Sequence, residues 1–175
     1  DGPGLVKALK EELDFTVKGS RILVLGAGGG AGKAIATQLA VDHCASLYLS
    51  NRTVSKVEQL ANDLAYYEET ACHCMDNSSL AMEQIADKID LIVNATSLGM
   101  KPDDQPPFPL DSLSQDHRVY DAIYNPIETQ LLKAARETGA STANGLSMLV
   151  HQGALSFEKW IGQAPDTALM KSAIT

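Results

Sequence analysis

Six consecutive residues, Gly26-Ala27-Gly28-Gly29-Gly30-Ala31, have the types and order needed to hold phosphate groups with main-chain atoms. They follow a short apolar run, Arg21 to Leu25, and open a stretch, Gly30 to Val41, whose Ile35, Ala36 and Leu39 share one helical face. Strand, glycine-rich turn and helix in this order form the G-x-G-x-x-G/A pattern of a dinucleotide site. Gly26 permits the tight turn, and Gly28 lets the backbone approach a pyrophosphate that a Cβ would strike. Ala31 is small enough for the helix to pack closely on the strand. The free N–H groups and dipole at the helix start then face the phosphates. The competing reading is a purely structural glycine turn.

The end of the second strand decides which dinucleotide fits. A carboxylate there would hydrogen-bond a ribose 2′-hydroxyl. This chain instead has Asn51-Arg52-Thr53, with Lys56 one turn into the next helix. The Arg52 guanidinium can pair with a 2′-phosphate, Lys56 adds a second positive charge and Thr53 can donate a hydroxyl hydrogen bond. This set selects NADP over NAD. The bland alternative is a surface arginine at a helix start. Asn94, Ala95 and Thr96 close the fourth strand, which in the order 3-2-1-4-5-6 lies at the switch point where a cofactor crosses.

The elements that must position these residues alternate along the chain. Strands are predicted at 21–25, 46–50, 70–75, 90–94, 118–123 and 140–143, and helices at 30–41, 54–65 and 78–86. A further helix is expected from Asn125 as N-cap, with Pro126 in the first turn, Glu128 completing a capping box and Gly139 at its end. The fold class is therefore α/β: a Rossmann-type doubly wound, mostly parallel sheet with helices on both faces. One long loop, Ser97 to about Asp116, carries Pro102, Pro106, Pro107 and Pro109. Loops of that length in compact domains are usually functional or mobile. Helices at Leu5 to Leu13, Leu146 to Ile161 and Asp166 to Ala173 exceed what one sheet requires.

Composition limits the partners. A formal net charge of −8 disfavours nucleic acid and anionic membranes, which need an excess of Lys and Arg. No apolar stretch approaches bilayer length, and the first residues lack the basic start and apolar run of a signal peptide. Three cysteines, Cys44, Cys72 and Cys74, have no framework spacing and fit a reducing, cytoplasmic compartment. In a strand Cys72 and Cys74 share one face and His73 the other, so buried thiols and no metal are expected.

Taken with segments downstream, these residues resemble the shikimate dehydrogenase family. The matching segments are Asp1-Gly2-x-Gly4, the loop from Gly26 to Ala31, Asn51-Arg52-Thr53, and Asn94-Ala95-Thr96-Ser97-x-Gly99-Met100. They continue with Asp121-x-x-Tyr124-Asn125-Pro126 and Gly145-Leu146-x-Met148-Leu149-Val150-x-Gln152-Gly153-Ala154. The resemblance implies reversible hydride transfer between NADP(H) and shikimate/3-dehydroshikimate, a step of aromatic amino-acid biosynthesis. It makes Asp1 the aspartate of a catalytic Lys–Asp pair and a substrate contact, with Tyr124 and Gln152 also on substrate hydroxyls. Ala122, Gly145 and Met148 would stand beside the nicotinamide, although relatives often carry a larger apolar residue at the position of Ala122.

It also implies a substrate domain upstream that holds the lysine. On that reading residues 1–18 link the two domains, 19–145 form the NADP-binding domain, and 146–175 return toward the absent one. By residue type alone, Asp1-Gly2 reads as a turn, Met148 as core filler and Tyr124 as a half-buried surface aromatic. The alternatives are a quinate/shikimate dehydrogenase domain and a non-catalytic dinucleotide-binding module. Leu5, Leu9, Phe157, Trp160, Ile161 and Leu169 are expected to form an exposed apolar patch through which the fragment self-associates.

Overall fold

The computed structural model describes residues 1–174. Six strands form one parallel sheet: β1 (Arg21–Leu25), β2 (Ser46–Ser50), β3 (Ala71–Met75), β4 (Leu91–Asn94), β5 (Arg118–Asp121) and β6 (Ser141–Asn144). Their order is β3-β2-β1-β4-β5-β6, the arrangement that puts the end of β4 at the switch point. The reversal of direction falls between β1 and β4, where the loops leaving the strands diverge and open a crevice.

Alternation along the strands supplies both faces of the sheet. Ile22 and Val24 enter one core with Leu47, Leu49, Leu91 and Val93. Leu23 and Leu25 enter the other with Ile92 and Val119. The first core is covered by α1 (Gly2–Leu13), α2 (Gly30–Val41), α3 (Val54–Leu64) and α6 (Leu146–Ile161). The second is covered by the short α4 (Ser79–Glu83), by α5 (Gln130–Glu137) and by Phe108 of the long loop. A final short helix, α7 (Thr167–Ser172), packs on α6.

Three expectations need correction. Leu5 and Leu9 are fully buried and belong to no exposed patch. With Ala8 and Leu13 they form the apolar stripe of α1, which packs between α2 and α6. The approach is close on both sides: a Cβ on Gly2 would lie 2.8 Å from the Ala34 carbonyl oxygen, and one on Gly4 would lie 3.0 Å from that of Met148. Phe157, Trp160, Ile161 and Leu169 are exposed.

The second correction concerns α5. Its N-cap is Thr129, whose hydroxyl accepts from the Leu132 N–H, and the Asn125–Pro126 peptide before it is cis. The competing partner is Asp121: its Oδ2 accepts a hydrogen bond from the Thr129 hydroxyl at 2.7 Å, drawing Thr129 into the interior. Glu128 pairs with Arg136 instead of closing a capping box, while Gly139 does end the helix at φ +87°.

Third, only Cys44 is a buried thiol. Cys72 is half-buried and Cys74 exposed, because β3 is the edge of the sheet. Among the described residues, no group of three His, Cys, Asp or Glu could hold a metal ion, and no helix is long and apolar enough to cross a membrane.

Candidate functional site

A cleft of about 780 Å³ opens where β1, β2 and β4 end. Its floor is the glycine turn. Gly26 sits at φ +76°, and its N–H and that of Ala27 both donate to the Ser50 carbonyl, at 2.9 and 3.0 Å. Helix α2 starts behind Gly29 without a capping side chain, so its first N–H groups remain available to a ligand. One wall holds Asn51, Arg52, Thr53 and Lys56, and another holds Ala95 and Thr96 through Leu98. Pro106 to Leu110 of the long loop face them.

The electrostatics of this cleft depart from those of the whole chain. The protein carries a net charge of −8, yet the only charged side chains lining the cleft, among the described residues, are Arg52 and Lys56. An elongated, phosphate-bearing ligand fits this combination of glycine backbone, unfilled helix start and paired cations.

Two glycines set the spacing. A Cβ on Gly28 would fall 2.8 Å from Asn51 Cγ and 2.9 Å from Lys56 Cβ, so Gly28 is what lets the cationic segment lie against the turn. The tight helix-on-turn contact belongs to Gly32. A Cβ there would stand 2.2 Å from the Gly26 carbonyl oxygen, whereas Ala31, expected in this role, is half-buried. Gly30 has open space around it.

Asn94 does not line the cleft. It is fully buried and braces the wall from behind. Its Oδ1 accepts from the Thr96 N–H and hydroxyl, at 3.0 and 2.7 Å, while its Nδ2 donates to the Leu98 carbonyl at 3.1 Å and to Asp121 at 3.0 Å. Asp121 also accepts from the Ile123 N–H, and burial pushes its carboxyl above the ordinary range. Residue types alone single out neither Asp121 nor Thr129 as a hub. Nor do they mark Asn77, Ser79 and the proline loop as cleft walls; only the pairing of β3 with β2 and the path of the loop bring these residues there.

The remaining candidates gather beyond β4, outside this cleft. Gly145 abuts Ala122 so closely that a Cβ would lie 2.0 Å from the Ala122 carbonyl oxygen, and its N–H donates to Ile123 O at 3.0 Å. Met148 is buried on α6. Asp1 is the exposed N-cap residue of α1, and Gly4 of that helix faces the Met148–Gln152 turn of α6, with a Cβ reaching 3.3 Å from the Gln152 N. Gln152 is exposed, and Tyr124 is 48% exposed on the loop after β5.

The family model for shikimate / quinate 5-dehydrogenase matches residues 7–100, and that for the shikimate 5′-dehydrogenase C-terminal domain matches residues 145–175. The chain belongs to the shikimate dehydrogenase family. A family relative from Desulforamulus reducens, shikimate dehydrogenase (NADP(+)), is 39% identical over 176 residues, covering 99% of this chain and 60% of its own. A crystal structure of a shikimate dehydrogenase in complex with NADP+ superposes with a TM-score of 0.84 at 40% identity, covering 99% of this chain and 59% of that one. The shikimate 5-dehydrogenase of Listeria monocytogenes, in complex with shikimate and NAD, superposes with a TM-score of 0.91 at 30% identity, covering all of this chain and 62% of that one. The chain thus spans about 60% of the length of the curated family members it matches.

Proposed function

We propose that this chain is the NADP-binding part of a shikimate dehydrogenase. The single observation that carries the cofactor assignment is the cleft whose only charged lining, among the described residues, is Arg52 and Lys56. Support for the substrate comes from the family relatives and the shikimate-bound neighbour. Bound NADP would accept or return the hydride on the alcohol carbon. The chain's own residues bind and orient. Main-chain N–H groups at Gly28, Gly30 and Ala31 receive the pyrophosphate, while that of Gly29 closes the turn onto the Gly26 carbonyl, and Arg52 with Thr53 and Lys56 receive the 2′-phosphate. Asn94 holds Thr96 and Leu98 at the crossing point, with Ala95 beside them. Ala122, Gly145 and Met148 form the rest for the nicotinamide.

Asp1, Tyr124 and Gln152 are the substrate side of this proposal. Asp1 would orient a lysine that exchanges the hydroxyl proton, and Tyr124 and Gln152 would bind hydroxyl groups. The lysine belongs to a substrate domain outside this chain. Within the chain, residues 1–18 act as the link, 19–145 as the cofactor domain and 146–175 as the return toward the substrate domain. The unpaired thiols of Cys44, Cys72 and Cys74 support a reducing, cytoplasmic location.

Calorimetric titration tests the cofactor assignment: NADPH is expected to bind, and NADH much more weakly. Equal affinity for the two would overturn it. By the same reading the isolated chain produces no reduced cofactor when mixed with shikimate and NADP, followed at the reduced-nicotinamide absorbance band. Robust turnover would mean that these residues hold a complete site.

The exposed Phe157, Trp160, Ile161 and Leu169 are proposed to meet the substrate domain. In its absence the patch is expected to drive self-association, because large apolar patches rarely stay solvated on a monomer. Trp160 is the sole tryptophan and 83% exposed, so its emission should shift blue as protein concentration rises. An emission maximum that does not move with concentration, on a species that sediments as a monomer, would refute this.

A further inference from the structure

We propose that the Asp121 carboxylate is a specificity-determining group that favours the oxidised over the reduced cofactor. This rests on the reading that Ala122 and Gly145 adjoin the nicotinamide.

The geometry requires a carboxylate here. Asp121 has no exposed surface. Its Oδ1 accepts from Asn94 Nδ2 at 3.0 Å and from the Ile123 N–H at 3.1 Å, and its Oδ2 accepts from the Thr129 hydroxyl at 2.7 Å. Asn94 and Ile123 are committed as donors. The orientation of the Asn94 amide is fixed because its Oδ1 already accepts from the Thr96 N–H. The Thr129 hydroxyl donates to Oδ2 and accepts from the Leu132 N–H. A proton on Oδ1 would face donors only, and one on Oδ2 would displace the Thr129 hydroxyl from its donating role. The carboxyl is thus arranged to remain ionised, although burial opposes it.

A buried carboxylate ordinarily has a cationic partner. Among the described residues, no Lys, Arg or His pairs with Asp121. Its position suggests what the cation is. Asp121 ends β5, in register with Asn94 of β4 and Asn144 of β6, at the edge of the sheet where ligands bind. The next residue, Ala122, donates its N–H to Asn94 O at 2.9 Å and presents its carbonyl to Gly145. An oxidised nicotinamide ring resting there carries a positive charge, and a reduced ring does not. In a dry, low-dielectric setting one nearby unit charge changes the relative affinity of the two forms by roughly tenfold.

The test compares three probes on the unmodified chain and on Asp121→Asn: NADPH by its fluorescence, and NADP+ and 2′-phospho-ADP-ribose by calorimetry. The last probe lacks the nicotinamide. Asp121→Asn is expected to weaken NADP+ relative to NADPH by roughly tenfold and to leave 2′-phospho-ADP-ribose within about twofold. If Asn at this position prevents folding, Asp121→Ser makes the same comparison, since it leaves space for a water among the same three donors. An unchanged ratio of NADP+ to NADPH affinity in a folded variant overturns the proposal, and equal losses of all three probes would reduce Asp121 to a structural strut. Failure of the unmodified chain to bind 2′-phospho-ADP-ribose would instead remove the cofactor reading itself, and the proposal with it. If that probe binds while NADP+ gains nothing from its ring, the nicotinamide does not rest at Ala122 and the proposal falls on that ground alone.

Discussion

Alanine at both Arg52 and Lys56 is expected to weaken NADPH binding by roughly 100-fold and leave NADH binding within about threefold. Each side chain would donate a charge-assisted hydrogen bond to the 2′-phosphate, and loss of one such bond typically costs about 1.5–3 kcal/mol. Arg52→Ala alone should therefore cost roughly tenfold or more. The selectivity follows from position. Both residues line the far wall of the cleft, after β2, whereas the proposed pyrophosphate cradle is the backbone after β1. NADH carries only a neutral 2′-hydroxyl at the far wall, with no charge for these cations to meet. Both lie on the chain's surface, so part of the effect should be screened by salt. Titrations at two ionic strengths check this, with the NADPH difference shrinking at the higher one. A parallel loss for NADPH and NADH would show that the two cations hold the pyrophosphate, and the 2′-phosphate assignment would fail.

Gly32→Ala and Gly145→Ala are each expected to destabilise the fold by about 3 kcal/mol or more, since overpacking of this kind costs 1–3 kcal/mol when neighbours can yield. Here they cannot yield cheaply. The new Cβ would stand 2.2 Å from the Gly26 carbonyl oxygen in the first case and 2.0 Å from that of Ala122 in the second. Both opposing atoms are backbone, so relief requires displacing the phosphate turn or the loop after β5. For a chain of this size each 1 kcal/mol lowers the melting temperature by roughly 2–4 °C. A fall of about 6–12 °C or more should appear in thermal unfolding. Gly30→Ala is the internal control. Nothing lies within 4 Å of its added Cβ, and alanine in the first turn of α2 should be neutral or stabilising by up to about 1 kcal/mol. Gly32→Ala melting with the unmodified chain would mean that α2 does not press on the turn.

The contrast between Gly30, Ala31 and Gly32 shows where reading by residue type ends. The motif marks six residues as one phosphate loop, and three of them, Gly26, Gly28 and Gly29, line the cleft. Gly26 and Gly28 have no room for a Cβ, but the tightest demand falls on Gly32, one place beyond the motif, because the helix axis and the turn together decide which residue faces the Gly26 carbonyl. The same holds at the start of α5. Asn125, Pro126 and Glu128 satisfy local capping rules, but Asp121 captures the Thr129 hydroxyl and moves the helix start to Gln130. A long-range bond outweighs a local preference because the buried carboxylate needs its donors more than a helix end needs one particular cap.

Residue pattern is sufficient for the parallel sheet, its helices on both faces and the glycine turn after β1. Short continuous apolar runs separated by glycine turns and helical stripes leave few parallel arrangements, and the right-handed crossovers reduce them further. The charge at the end of β2 is also a local property, legible as Arg52 in place of a carboxylate. Tertiary structure alone decided the rest. It buried Leu5 and Leu9, which read as apolar residues of a peripheral helix, because glycines at 2 and 4 let α1 wedge between α2 and α6. It also joined Asn94, Asp121 and Thr129 into one buried hub across two strands and a helix start. Residues that meet only through strand register and loop path leave no local signal, since each of them separately is an ordinary polar residue at the end of an element.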